Sequence, residues 1–158
     1  MSSRELLLSA ALRAVAYLDG LGARHVGGTA SHQALRAALG GPLPTRGQDD
    51  AHVVATLARA IDPGLVATAG PRYFGFVTGG AVPVTVAAEW LGSAWDQNGA
   101  LYVMAPAMAV LEDVVGAWVV EMLGLPATSS VGFVTGCHMA NFTGLAAGRH
   151  EVLRRAGW

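Results

Sequence analysis

The sequence predicts an α/β fold that is mostly helical and incomplete: an arm of short helices, then one strand, one turn and one helix. Three observations carry this reading. Apolar residues recur at helical spacing along most of the 158 residues. Only residues 131–134 (VGFV) read as a short buried strand. Apolar residues make up 53% of the chain and charged residues only 13%, against roughly 25% charged in an ordinary soluble domain. A globule of this size has a large surface relative to its volume, and this one has few charges to cover it.

Residues 1–22 read as a first helix. Ser2 or Ser3 caps it, and Leu7, Leu8, Ala11, Val15 and Leu18 fall on one face. Gly20 and Gly22 end it, and residues 23–30 are loop. Ser31 caps a short second helix through Leu39, stopped by Gly40, Gly41 and Pro42. Residues 44–48 link it to a third helix opened by Asp49 or Asp50. Val53, Val54, Leu57, Ala60 and Ile61 form its apolar side, with Pro63 beyond its end. Residues 1–65 thus make a helical arm without a large core, and residues 66–158 begin a second domain.

Residues 71–78 (PRYFGFVT) are aromatic and irregular between Gly70 and Gly79. A helix follows over 83–95, then turn chemistry at Asp96, Gln97, Asn98 and Gly99. Pro106 suits the first turn of a helix that reaches about Leu123. Met108, Leu111, Val115, Trp118 and Met122 trace its apolar stripe, widened by Val114 and Val119. Gly124 and Pro126 terminate it. After the loop 128–130 the strand enters a tight turn, 135–138 (TGCH), and a last helix covers 139–155. One strand makes no sheet, so the end at Gly157 and Trp158 reads as an interruption.

Several function classes are disfavoured. The uncharged stretch 73–88 is cut by Gly79, Gly80 and Pro83, and the apolar stretch 100–120 carries Glu112 and Asp113. Neither suits a membrane span. The apolar run 6–12 is too short for a signal peptide. A net charge of −1 points to neither nucleic acid nor an anionic membrane. The single cysteine, Cys137, forms no internal disulfide and suits a reducing, cytoplasmic compartment. His25, His32, His52 and His150 lack metal-ligand spacing.

The chemistry concentrates at the turn. Strand, glycine-containing turn and helix is an arrangement that binds phosphate, because free N–H groups at a helix N-terminus favour an anion. Gly136 lets the backbone approach the ligand, and the N–H groups of Cys137, His138 and Met139 are the donors. Many such junctions bind nothing. Cys137 reads first as a small packed residue, and a thiol activated at a helix N-terminus is the far less favoured alternative.

The segment VGFVTGCHMANFTGLAAGRHEVLRRAGW resembles the phosphate-cradle strand and helix of the group II pyridoxal-phosphate-dependent decarboxylases, the aromatic amino-acid and glutamate decarboxylases. PRYFGFVTGG resembles that family's aromatic stretch, and residues 88–126 its helix pair before the cradle. The helices before them resemble the arm that wraps a partner subunit. The resemblance implies the start of a fold type I (aspartate aminotransferase-like) large domain, a carboxy-lyase acting on an amino acid, and pyridoxal 5′-phosphate as cofactor. It implies a homodimer in the parent enzyme. It places Gly136, Cys137 and His138 at the cofactor phosphate and Phe76, Thr78 and Gly79 at the substrate end. Two positions depart from the pattern: Cys137 stands where a small residue is usual, and His138 where a hydroxyl is usual. An imidazole still donates a hydrogen bond but is much bulkier.

Such chemistry also needs a lysine amine to bond to the cofactor aldehyde and an acid facing the ring nitrogen. All ten basic residues here are arginines. A guanidinium stays protonated and cannot replace the amine. Three readings therefore stand: the N-terminal part of a decarboxylase, inactive by itself; a non-catalytic chain that folds against a partner; or a small anion-binding domain centred on Gly136 to His138.

Overall fold

The computed structural model describes residues 1–99 and 101–158. Ala100, at the head of the apolar stretch 100–120, lies outside the described residues. The chain divides into two compact units, Met1–Ala87 and Ala88–Trp158.

The first unit holds three helices and a single 3-10 turn. Helix α1 spans Ser3–Gly20 and starts at a reciprocal cap: the Glu5 N–H donates to Ser2 Oγ at 3.3 Å, and the Ser2 N–H donates to Glu5 Oε2 at 2.7 Å. Helix α2, His32–Leu39, is capped by Ser31. Helix α3, Asp50–Ile61, is capped by Asp49, whose carboxylate accepts from the His52 N–H at 3.0 Å. Helix α3 packs against both α1 and α2. The 3-10 turn Asp62–Gly64 then ties the unit together, because the Pro63 carbonyl accepts from the N–H groups of Thr29 and Ala30 at 2.7 and 2.9 Å. The strands of chain meet so closely there that a Cβ on Gly28 would lie 2.9 Å from the Gly64 oxygen. Arg24 completes the junction. Its Nη2 sits 2.9 Å from Asp62 Oδ1, its guanidinium lies 5.0 Å from the centre of the Tyr17 ring, and its carbonyl accepts from Arg72.

Helix α4, Pro83–Trp95, crosses the division between the units. The second unit holds α5, Pro106–Met122, and α6, Cys137–Arg155. Both end alike. The Gly124 N–H donates to the Glu121 carbonyl and the Leu125 N–H to the Val120 carbonyl, with Gly124 at φ 62°. The Gly157 N–H donates to Arg154 and the Trp158 N–H to Leu153, with Gly157 at φ 83°. These are Schellman closures, which need a left-handed residue after the helix. Gly157 and Trp158 thus finish α6.

Two expectations need correction. Residues 131–134 form no strand, and among the described residues there is none. A strand exists only by pairing, and no neighbouring strand is present to complete a ladder. The segment instead passes over α5, where a Cβ on Gly116 would meet Val131 Cβ at 3.6 Å. The last helix also begins two residues early, so Cys137 and His138 belong to its first turn rather than to a separate tight turn.

The core is minimal. Leu21 and Ala67 are buried in the first unit, Ala105 and Val120 in the second. Leu7, Leu12, Trp118, Met122, Phe142 and Leu145 all stand exposed. The chain leaves 12869 Å² accessible, where a compact protein of 16.2 kDa exposes roughly 7,500 Å². No helix among the described residues is long and apolar enough to cross a membrane.

Two outcomes follow from this surface and its charges. Purified chain is expected to enhance the fluorescence of a hydrophobic dye, and a compact monomer that leaves the dye dark would contradict the exposure described. The second concerns the end of α6, where Glu151 is paired to Arg154 at 2.8 Å and to Arg155 at 2.7 Å. Arg154 first and Arg155 second hold its carboxyl below the ordinary value of 4.5. A depressed carboxyl stabilises above its unfolded pKa, and that contribution disappears as pH falls through the folded value. Normalised to the intrinsic exchange rate at each pH, hydrogen-exchange protection in the last turn of α6 should therefore fall on acidification below 4.5 in the native chain, with that loss flattened in Glu151→Gln.

Candidate phosphate-binding turn

Helix α6 opens without a side-chain cap. Gly136 is its N-cap, at φ 148° and ψ 174°. This region of backbone space is open essentially to glycine alone. The first helical bond runs from the Ala140 N–H to the Gly136 carbonyl at 3.0 Å. The N–H groups of Cys137, His138 and Met139 precede it, so the helix gives them no partner. Each of these residues is exposed, and a Cβ on Gly136 would meet nothing within 4 Å. Three donors and the positive end of a helix 19 residues long thus face open space, which favours an anion.

Cys137 is a free, exposed thiol, and no imidazole is bonded to it. Three acids of the unit line a groove along α5. Glu112, Asp113 and Glu121 do so beside Gly116, Val120 and Val131, and the groove measures about 750 Å³. The turn can hold an oxyanion. It has no amine to bond to a carbonyl and no paired base to activate the thiol.

Phe76, Thr78 and Gly79, which the resemblance places at the substrate end, belong to the other unit. Phe76 and Val77 both take left-handed backbone, at φ 54° and 53°, and both are wholly exposed. The Thr78 N–H closes the turn onto the Gly75 carbonyl at 3.3 Å, and Gly79 is exposed. Two successive left-handed residues that are not glycine cost of order 1–3 kcal/mol each. Gly136, Cys137 and His138 share one helix end, whereas Phe76, Thr78 and Gly79 form their own turn. The sequence alone did not single out the cluster of Tyr17, Arg24, Asp62 and Arg72. The residues that meet there are as much as 48 positions apart, and only the Tyr17–Arg24 neighbourhood is local.

The sequence matches the pyridoxal-dependent decarboxylase conserved domain over residues 33–157. Among curated proteins, none matches it in sequence. Among solved structures, it is similar to the 4-hydroxyphenylacetaldehyde synthase of Rhodiola rosea, with 25% identity and a TM-score of 0.66. The similarity covers 80% of this chain and 28% of that one, so the chain spans less than a third of the length of the structure it matches.

Two glycines of α6 should respond in opposite directions to the same change. Gly136→Ala forces a side chain into its unusual backbone region and is expected to destabilise by about 1–3 kcal/mol. Gly148→Ala lies mid-helix, with open space around it, and should stabilise by up to about 1 kcal/mol. Urea denaturation compares them, and equal effects would show that Gly136 does not hold the backbone described.

Proposed function

Because the chain belongs to the pyridoxal-dependent decarboxylase family, we propose that it supplies the arm and the phosphate-binding turn of a carboxy-lyase acting on an amino acid. The observation that carries this reading is the uncapped start of α6 at Gly136, inside the region matched to the family. The family is dependent on pyridoxal phosphate.

The residues fit one end of that cofactor. A phosphate dianion placed before α6 takes the N–H groups of Cys137, His138 and Met139, and Gly136 leaves room for it. The His138 ring adds a donor where its Nδ1 or Nε2 carries a proton. The other end finds no partner in these 158 residues, since none is lysine. When bound, the cofactor supplies an electron-withdrawing ring that takes up the charge left as carbon dioxide departs. On this reading the present residues bind and orient, and the amine comes from elsewhere in the enzyme. Residues 1–65 act as the arm and residues 66–158 as the start of the cofactor domain. Phe76, Thr78 and Gly79 shape the substrate end.

The exposed apolar surface supports a further part of the proposal. Leu145, Phe142, Met122 and Trp118 need cover. The rest of such an enzyme, or a second subunit of a homodimer, provides it, and the single exposed thiol suits a cytoplasmic setting.

The test uses the native gene product and the 158-residue chain side by side. The native product should exceed 16.2 kDa and release carbon dioxide from a carboxyl-labelled amino acid when supplied with pyridoxal phosphate. The 158-residue chain should release none, and borohydride should fix no cofactor to any of its side chains. Turnover by the chain alone would sink the division of labour. A native product of 16.2 kDa would remove the carboxy-lyase and leave a binding protein.

A further inference from the structure

A second constellation of charge lies in the arm, within the first unit. Arg13 and Tyr17 stand four residues apart on α1 and so share a face. That face meets α3, which brings Arg59 alongside. Arg24 follows α1 and stacks on Tyr17. Together they line a groove of about 570 Å³ whose other walls include Ala58, Ile61 and Leu65. This size lies within the roughly 300–1,000 Å³ of small-molecule sites.

The charges in the groove do not balance. Asp62 is its single acid, against the three guanidiniums of Arg13, Arg24 and Arg59. Asp62 is taken by Arg24, through Nη2. Among the described residues Arg13 and Arg59 form no ion pair. Like charges brought to one groove repel, and an oxyanion set between them turns that repulsion into charge-assisted hydrogen bonds. The planar guanidinium fork matches a carboxylate or a phosphate. The apolar floor adds a preference for a ligand with a hydrocarbon body.

We propose that this groove of the arm binds a small organic anion, with its phosphate or carboxylate head on Arg13, Arg24 and Arg59 and its apolar body on Ala58, Ile61 and Leu65. The site is separate from the turn at Gly136, and the proposal does not rest on the decarboxylase reading.

Calorimetric titration of the full 158-residue chain tests it, with phenyl phosphate, phenylacetate and inorganic phosphate as probes. Saturable binding of an aromatic probe is expected, with inorganic phosphate weaker for want of an apolar body. Phenyl phosphate alone would assign a phosphate head and phenylacetate alone a carboxylate head; either supports the site. R13Q/R59Q should weaken binding by about tenfold or more, while R13K/R59K, which keeps the charge, should recover part of it. H138D places a carboxylate at the start of α6 and repels an anion there, so it separates the two sites. Binding that survives H138D and falls in R13Q/R59Q supports the proposal. Binding lost in H138D and kept in R13Q/R59Q, equal binding of inorganic phosphate, or no binding of either aromatic probe overturns it.

Discussion

The structure depends on the satisfaction of helix ends. With four apolar side chains buried among the described residues, packing contributes little to holding the helices, and a short helix without packing is marginal in water. Caps therefore do much of the ordering. Ser2 with Glu5, Ser31 and Asp49 close the starts of α1, α2 and α3. Gly124 and Gly157 close the ends of α5 and α6. The starts of α5, at Ala105, and of α6, at Gly136, lack a side-chain cap. At α5 a proline in the first turn removes one of the donors, whereas at α6 the helix leaves the N–H groups of Cys137, His138 and Met139 without a partner of its own.

Much of this was legible in the sequence because caps are local. Ser31 before HQALRAAL, Asp49 before an apolar run, Pro106 at a first turn and Gly124 beyond the last each act within a few residues. The errors arose where structure is not local. Residues 131–134 have strand composition, yet a strand is a relation between segments, and the partner segments are not among these residues. The sequence pattern places the start of α6 two residues too late, because Cys137 and His138 follow a glycine as turn residues do. The chain bends at Thr135 and Gly136, the latter with unusual backbone angles, and helical geometry follows at once. The Arg24 junction joins the end of α1 to Asp62 and Arg72, and no spacing rule announces a contact over such distances.

The composition and the chemistry share one cause. An enzyme that uses an aldehyde cofactor has to bring an anion site and an amine together from distant parts of a chain. An anion site can be built from backbone alone, so Cys137 and His138 in place of smaller or hydroxyl-bearing residues leave its N–H donors in place. The amine cannot, because only a lysine side chain supplies it, and arginine does not substitute. A segment rich in glycine and arginine and free of lysine is thus chemically suited to hold a phosphate and unsuited to react with an aldehyde.

The helices also differ in the cover they require. On α3, Val53 and Leu57 are exposed while Val54 and Ile61 are partly shielded by its neighbours, so one face remains open. Helix α5 differs: Val110, Leu111, Val114, Trp118 and Met122 are exposed, and only Gly116 and Val120 are buried. Successive positions such as 110 and 111 lie about 100° apart around a helix, so these residues are not a single stripe. A helix that is apolar on several sides is built for an interior. Cover on one side would leave α5 with unsatisfied apolar surface. The low charge of the whole chain, 13%, accords with a helix that is apolar on more than one face.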